Sequence, residues 1–390
     1  MTVGGFSVTF VSSAARIDPA LWESCFAPPI EGRWWYQVLE HSGLEEQFSF
    51  LYGVIYRDGV PVGIAPAFLM NFPVSLVAPP ALLWVIRWLG RIAPSLAYPR
   101  TLFVGSPCAD EGTVGLLDGV ERRGALLALQ RALQARARAF GAALLVWKDF
   151  PASEAVDLEW VAQRERLFRV VSFPGTIVEF NGPDKNNYFA ALKGPRRHIL
   201  RKKLRRSAAS VELRVEVVQA PDHHTLDALF GLFWQTYERA TTRFEKLNRR
   251  FFEIIAAQPL AHFIVLKEKT SDEMVAFMLC LELGAKVINK FIGLDYRRPR
   301  EWLLYFRLWD AAVDWALSRG ATSIQSGQTG YAPKIETGHK LVPLVNYCAH
   351  RNPVIHALVG ACARRINWYT LDDDLARYVK AHPEALPPAF

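Results

Sequence analysis

The 390-residue chain contains no CxxC pair, so neither a zinc ribbon nor a redox motif is visible. Its five cysteines, Cys25, Cys108, Cys280, Cys348 and Cys362, lie far apart, and an odd, scattered set suits a reducing cytoplasm. The opening stretch MTVGGFSVTFVSS lacks the basic start and long apolar run of a secretory signal. No GxSxG occurs, which disfavours hydrolysis through a covalent serine intermediate. No spacing of His, Cys, Asp and Glu suggests a metal, so the expectation is no metal and no permanently bound cofactor. Charge is missing altogether from Gly59 to Ile86. Pro61, Pro66, Pro73, Pro79 and Pro80 interrupt that run, and each removes a backbone donor that hydrocarbon cannot replace, so it does not read as a membrane span.

What is present points to a folded, mostly apolar protein. Hydrophobic residues make up 51% and aromatics 12%, which excludes disorder, and the length suits two domains. The net charge of +8 is concentrated. RRHILRKKLRR, Arg196 to Arg206, is either a solvated helix face or a surface for nucleic acid, anionic lipid or a phosphate-bearing donor. Asp58-Gly59 between two apolar β-runs predicts a hairpin. Ala81–Ala93 predicts a short helix whose Trp84 and Trp88, and Arg87 and Arg91, each stand four apart. Trp beside Arg among Leu and Ile is the composition of an interfacial helix, so these four residues are candidate membrane contacts. The alternative is an ordinary buried helix.

The chain repeats a pattern. GALLALQRALQARARAFG is followed by the strand AALLVWKDF, and YFRLWDAAVDWALSRG by ATSIQSGQT, with Gly141 and Gly320 aligned. A hairpin precedes each, so each half reads as antiparallel strands, a helix and a strand. The hairpins are offset more than the helix–strand junctions, which predicts an insertion in the first half, at about 71–105. His224–Phe244 reads as one helix, with apolar residues at helical spacing.

The order of a strand meander, then FIGLDYRRPREWLLYFRLWDAAVDWALSRG, then a strand ending in GYAPK resembles the GNAT superfamily of acyltransferases. More narrowly it is similar to the tandem, Fem-like branch, over roughly Asn181 to Asn352. The resemblance implies an α+β (α/β) fold: two GNAT-like units in tandem, each a mixed, mostly antiparallel sheet flanked by helices. The units are expected at 1–172, with the insertion, and at 173–390, with the donor and catalytic site. It implies attack of an amine on an acyl carbonyl. The donor is then acyl-CoA or an acyl carrier protein thioester as cosubstrate, or an aminoacyl-tRNA in Fem-type members.

Donor pyrophosphate would lie where a strand passes into a helix, at GLDYRRPRE. Gly293, Arg297, Arg298 and Arg300 are the candidates there, although the usual glycine-rich form is absent. Tyr331 and Lys334 stand where a tyrosine and a lysine follow the last strand in Fem-like proteins. Tyr331 is the candidate to bind the tetrahedral intermediate or protonate the leaving group, and Lys334 to hold a phosphate. His339 is the side chain nearby expected to titrate near neutrality, hence the candidate base, with Glu336 orienting it. Glu238, in the middle of a mostly apolar helix, is a weaker candidate base. The insertion and the resemblance together imply a lipid amine acceptor, a long-chain amino alcohol as in bacterial ceramide synthases of GNAT-like type, and peripheral attachment to an anionic membrane. The rivals are an aminoacyl-tRNA-dependent ligase, and a non-catalytic unit binding lipid or peptidoglycan precursors.

Overall fold

The computed structural model describes residues 4–76, 83–240, 243–370 and 372–383, except the side chains of Leu83, Val85, Ile86, Arg87 and Leu89. The chain begins with β1 (Phe6–Val11), α1 (Pro19–Cys25), α2 (Arg33–His41), β2 (Ser49–Arg57) and β3 (Val60–Asn71). Next come α3 (Leu83–Ile92), α4 (Pro94–Ala97), β4 (Arg100–Val104), β5 (Gly115–Leu116), α5 (Arg122–Ala139), β6 (Leu144–Pro151), α6 (Ala152–Glu165) and β7 (Phe168–Val171). The second half runs β8 (Gly175–Glu179), α7 (Lys185–Ala191), α8 (Gly194–Ser210), β9 (Leu213–Val218), α9 (His223–Arg239), α10 (Arg249–Ala256), β10 (Ala261–Glu268), β11 (Met274–Leu283) and β12 (Lys286–Leu294). It ends with α11 (Leu304–Ser318), β13 (Ser323–Ser326), α12 (Tyr331–Glu336), β14 (Lys340–Val342), β15 (Leu344–His350), α13 (Pro353–Ala363) and α14 (Asp373–Ala381).

The fold is α+β, with two mixed sheets flanked by helices. The first sheet has the order β1-β2-β3-β4-β6-β15-β7, with β5 on β3. The second has the order β14-β8-β13-β12-β11-β10-β9. Each is antiparallel apart from one parallel pair, β4 with β6 and β12 with β13. In both halves a helix ends at a glycine of positive φ, Gly141 at 67° and Gly320 at 74°, and a strand of that parallel pair follows. A left-handed residue after a helix suits glycine, which has no Cβ to clash. One strand crosses over. β1–β7 form the first sheet and β8–β14 the second, but β15, which follows β14 in sequence, returns to lie between β6 and β7 of the first.

Between the sheets lies a shared core. Trp35, Phe68 and Phe103 of the first half belong to the same buried cluster as Phe233, Phe251 and Phe277 of the second. Trp35 meets Phe251 edge-on at 6.2 Å. β11 is buried along almost its whole length because α9 covers one face and α11 the other. That explains its continuous apolar run where a half-exposed strand would alternate. The hairpin at Asp58-Gly59 forms with both residues at positive φ, 51° and 85°. The helix expected through Phe244 ends at Arg239. Ala240 turns out to extended backbone, and the Arg243 guanidinium donates to its carbonyl. The connection from β3 to β4 carries α3 and α4, whereas a two-residue turn joins β11 to β12.

Candidate active site

The parallel pair β12/β13 is short. Lys286–Asn289 pair with Ser323–Ser326, and then the strands separate. At the separation β12 carries a bulge: Cys280 pairs with Asn289 but Leu279 with Phe291, leaving Lys290 extra. A bulge re-aims side chains, and Lys290 turns into the boundary between the two halves, 1% exposed. Its amine lies 2.5 Å from Glu31 Oε1 and 3.9 Å from Asp110 Oδ2, donates to the Cys108 carbonyl at 2.9 Å, and sits over the Trp35 ring. The loop after β4 therefore plugs the opening of the other sheet. Glu111 of that loop accepts from the Gln325 amide at 3.3 Å, and the Cys108 N–H donates to Glu245 at 2.9 Å.

Three buried acceptor oxygens around this opening have no hydrogen-bond partner: Asp110 Oδ2, Gln325 Oε1 and Asn289 Oδ1. Such atoms cost about 1–3 kcal/mol each when left unpaired, so several gathered among the described residues of one opening mark it as a candidate site. Burial raises the Asp110 carboxyl, although Lys290 opposes the shift. Burial also raises Glu111. Burial works against the charge of Lys290, but Asp110 and Glu31 overcome it and push the amine up to about 12. Glu31 answers with a lowered pKa, because Lys290 outweighs the burial that would raise it.

Beyond the end of β13, Lys334 and His339 come together, His339 meeting Ser326, which also accepts from the Asn289 amide. The Lys334 amine is buried and donates to the Gly327 carbonyl, and burial lowers it to about 8. His339 Nδ1 lies 2.9 Å from the Lys334 carbonyl, which only accepts, so Nδ1 carries the proton and Nε2 accepts from Ser326 Oγ at 3.0 Å. The expectation that His339 titrates near neutrality is corrected here. Burial, reinforced by the Lys334 charge, lowers it to about 3, and the ring is neutral at physiological pH. Tyr331 is fully buried against Trp368 and Leu375, and its hydroxyl donates to the Pro174 carbonyl at 2.8 Å. Glu336 pairs with Lys203 rather than with His339. Glu238 faces solvent and accepts from the Trp234 indole at 2.9 Å, away from these groups.

The arginines of GLDYRRPRE are not three free clamps. Arg297 forks onto Asp295 at 2.8 and 3.0 Å. Arg298 is held by Asp295, Glu268 and Glu273, while Arg300 is exposed. Gly293 is glycine for packing: a Cβ there would meet the Phe277 ring at 2.3 Å and the α9 backbone at 2.7 Å. The α11 N-terminus has no side-chain cap: Leu303 precedes it in left-handed backbone and makes no side-chain hydrogen bond. α8 lies across this end, its Ser207 hydroxyl donating to the Trp302 carbonyl at 2.6 Å and Ser210 to Glu301 at 3.1 Å. Lys202, Arg205 and Arg206 of α8 are exposed and have no carboxylate partner among the described residues. These, not Arg297 and Arg298, are the unpaired cations of this region.

Trp84 and Trp88 stand out from α3, 70% and 56% exposed, with Arg91 exposed on the next turn. The side chain of Arg87 lies outside the described residues. Among the described residues no helix is long and apolar enough to cross a membrane.

No curated protein matches the sequence. Among solved structures, the crystal structure of FemX matches with a TM-score of 0.56 at 12% identity, over 83% of this chain and 93% of that one. A tandem GNAT protein from the clavulanic acid biosynthesis pathway matches at 0.52 and 12%, over 89% and 99%. A conserved protein of unknown function from Bacteroides thetaiotaomicron matches at 0.52 and 13%, over 88% and 99%. At such identities these likenesses speak for the fold. The sequence profile of the FemAB-like family, described as peptidoglycan biosynthesis/recognition, matches residues 163–370, more than half of the chain, and the protein belongs to that family.

Proposed function

We propose that the protein is a transferase that moves an acyl or aminoacyl group from an activated donor to a primary amine, at the opening between β12 and β13. The observation that carries this reading is a pair of buried acceptor oxygens without a hydrogen-bond partner, Asp110 Oδ2, 3.9 Å from the Lys290 amine, and Gln325 Oε1, whose amide donates to Glu111 of the same loop. An incoming ammonium supplies such donors. Asp110, raised by burial, takes the proton that the amine must lose before it can attack. The C–N bond then forms, the bond from carbonyl carbon to the donor's sulfur or oxygen breaks, and the leaving group collects a proton. No covalent enzyme intermediate is needed.

The donor lies along the uncapped α11 N-terminus, where unpaired amides and the helix dipole favour phosphate. An acyl thioester of CoA or of an acyl carrier protein is one candidate. The unpaired cations of α8 favour a longer polyanion, the aminoacyl-tRNA of a Fem-type reaction, as the second. For the acceptor, the family description suggests the amine of a peptidoglycan precursor, and the exposed apolar helix α3 suggests a long-chain amino alcohol.

The test is a panel of acyl-CoA, acyl carrier protein thioester and aminoacyl-tRNA against both acceptor classes, read for amide by mass spectrometry. Wild type should form amide from one pairing, and Asp110→Asn should lower kcat about 100-fold or more with donor binding retained. Full activity of Asp110→Asn removes this residue from the chemistry. Binding of an acceptor without transfer from any donor would favour a recognition protein instead.

A further inference from the structure

The amino-terminal ends of β4 and β6 and the carboxyl-terminal end of β15 meet at one end of the first sheet. The Ala143 N–H donates to the Arg100 carbonyl and the Arg351 N–H to the Ala143 carbonyl, both at 2.8 Å. The α3–α4 connection closes onto the same end, where the Phe72 N–H donates to the Pro99 carbonyl at 3.0 Å. α13 leaves from it directly after β15. Two helices distant in sequence thus emerge about two strand spacings apart, about 10 Å.

Both present apolar side chains to solvent. Trp84, Trp88 and Ile92 follow one stripe of α3 at four-residue spacing, and Ile92 is 66% exposed. Val354 and Leu358 do the same on α13, at 66% and 63%. Large exposed apolar side chains gathered in one place mark a docking surface. The charge around them decides the occupant. From residue 59 to 109 there is no Asp or Glu, only Arg87, Arg91 and Arg100, and from 344 to 371 again none, only Arg351, Arg364 and Arg365. Arg91, Arg100 and Arg351 are exposed. Tryptophan side chains with guanidiniums, and no carboxylate in either of these two segments, suit the headgroup level of an anionic bilayer, while exposed Glu45 and Glu46, ahead of β2, lie two strands away from β4.

We propose that this end of the first sheet, formed by α3 and α13, rests on an anionic lipid surface and attaches the protein to it peripherally. The inference stands apart from the transfer reading. It places a constraint on it, however. The loop bearing Asp110 leaves the other end of β4, a strand of five residues about 17 Å long, so the lipid surface and the start of that loop are separated by the length of this strand in addition to the α3–α4 connection. An amine carried by a lipid must reach or leave the bilayer by that distance.

Sedimentation with phosphatidylglycerol vesicles tests it. Wild type should pellet at low salt. Trp84→Ser with Trp88→Ser should weaken binding at least tenfold at every salt concentration, because apolar burial is not screened. Arg91→Glu with Arg351→Glu should weaken it mainly at low salt. Lys202→Glu with Arg205→Glu, on α8, should leave it unchanged. Circular dichroism identifies any variant that fails to fold. Three results overturn the proposal: wild type remaining in the supernatant, the tryptophan variant pelleting like wild type, or vesicle binding lost with α8. A dimer in gel filtration that the tryptophan variant dissolves, without vesicle binding, assigns the face to a second copy.

Discussion

The two helices that follow the inner edge of each parallel strand pair begin differently. α5 of the first half is closed by its own chain: Glu121 accepts from the Arg123 and Gly124 amides at 3.0 and 2.7 Å. α11 of the second half has no side-chain cap. A carboxylate stands at the α5 N-terminus, where the helix dipole would favour an external phosphate, whereas the α11 N-terminus carries no side-chain cap. The loop after β4 extends the same contrast, because it leaves the first sheet and reaches into the opening of the second. On the proposed reading, the first sheet supplies a wall of the second sheet's site, and the second half alone offers a donor position.

The largest expected effect breaks the wall. Lys290 is the cation that Glu31 and Asp110 share. Lys290→Met keeps the volume and removes the charge, leaving Glu31 buried without its partner. Removing one member of such a pair costs about 3–5 kcal/mol, to be read in urea unfolding. Adding Glu31→Gln should recover most of it. If both variants unfold like wild type, the two halves do not depend on this contact.

Lys290 also shows where sequence reading ends. The repeated helix–glycine–strand junctions, the hairpin and the buried meander were legible because each is local: turn residues, periodicity and apolar runs lie within a short window. The return of β15 to the first sheet was not, since the strand carries nothing that states which sheet receives it. Nor was the Glu31–Asp110–Lys290 cluster, whose members are far apart in sequence and resemble ordinary surface charges. A bulge at Lys290 has no sequence signal of its own. Arg297 and Arg298 were legible as a cluster and Asp295 stands two residues before Arg297, but the other partners of Arg298, Glu268 and Glu273, come from β10 and the turn after it, so its full neutralisation appears only in the fold. Lys334 and His339 were picked out by type and place, and only burial shows that the ring is neutral.

A second, smaller effect sharpens the contrast between the helix starts. Leu303 holds a left-handed backbone, φ 47°, that aspartate tolerates better than leucine. Leu303→Asp should therefore fold, and its carboxylate would stand at the α11 N-terminus as Glu121 stands at α5. Donor affinity, measured by calorimetry with whichever donor supports transfer, should fall about tenfold through like-charge repulsion at a site otherwise worth about 1 kcal/mol or more to a phosphate. Unchanged affinity would place the donor elsewhere.

The smallest effect is the reverse exchange. Glu121→Ala removes the α5 cap and exposes the Arg123 and Gly124 amides. Losing an N-cap costs about 1 kcal/mol, so the midpoint of urea unfolding should shift modestly. Donor binding should keep its affinity and its single-site stoichiometry. The reason is geometric: opening the α5 terminus restores amides, but the cations beside them, Arg122 and Arg123, are paired with Glu154 and Asp157, whereas α11 has the unpaired cations of α8 laid across it. Gly124 is also crowded, since a Cβ there would meet the Phe6 ring at 3.0 Å, which leaves little room beside the freed amide. Two donors per chain in the Glu121→Ala protein would show instead that the carboxylate alone had separated the two halves, and that the first still carries a usable site beneath its cap.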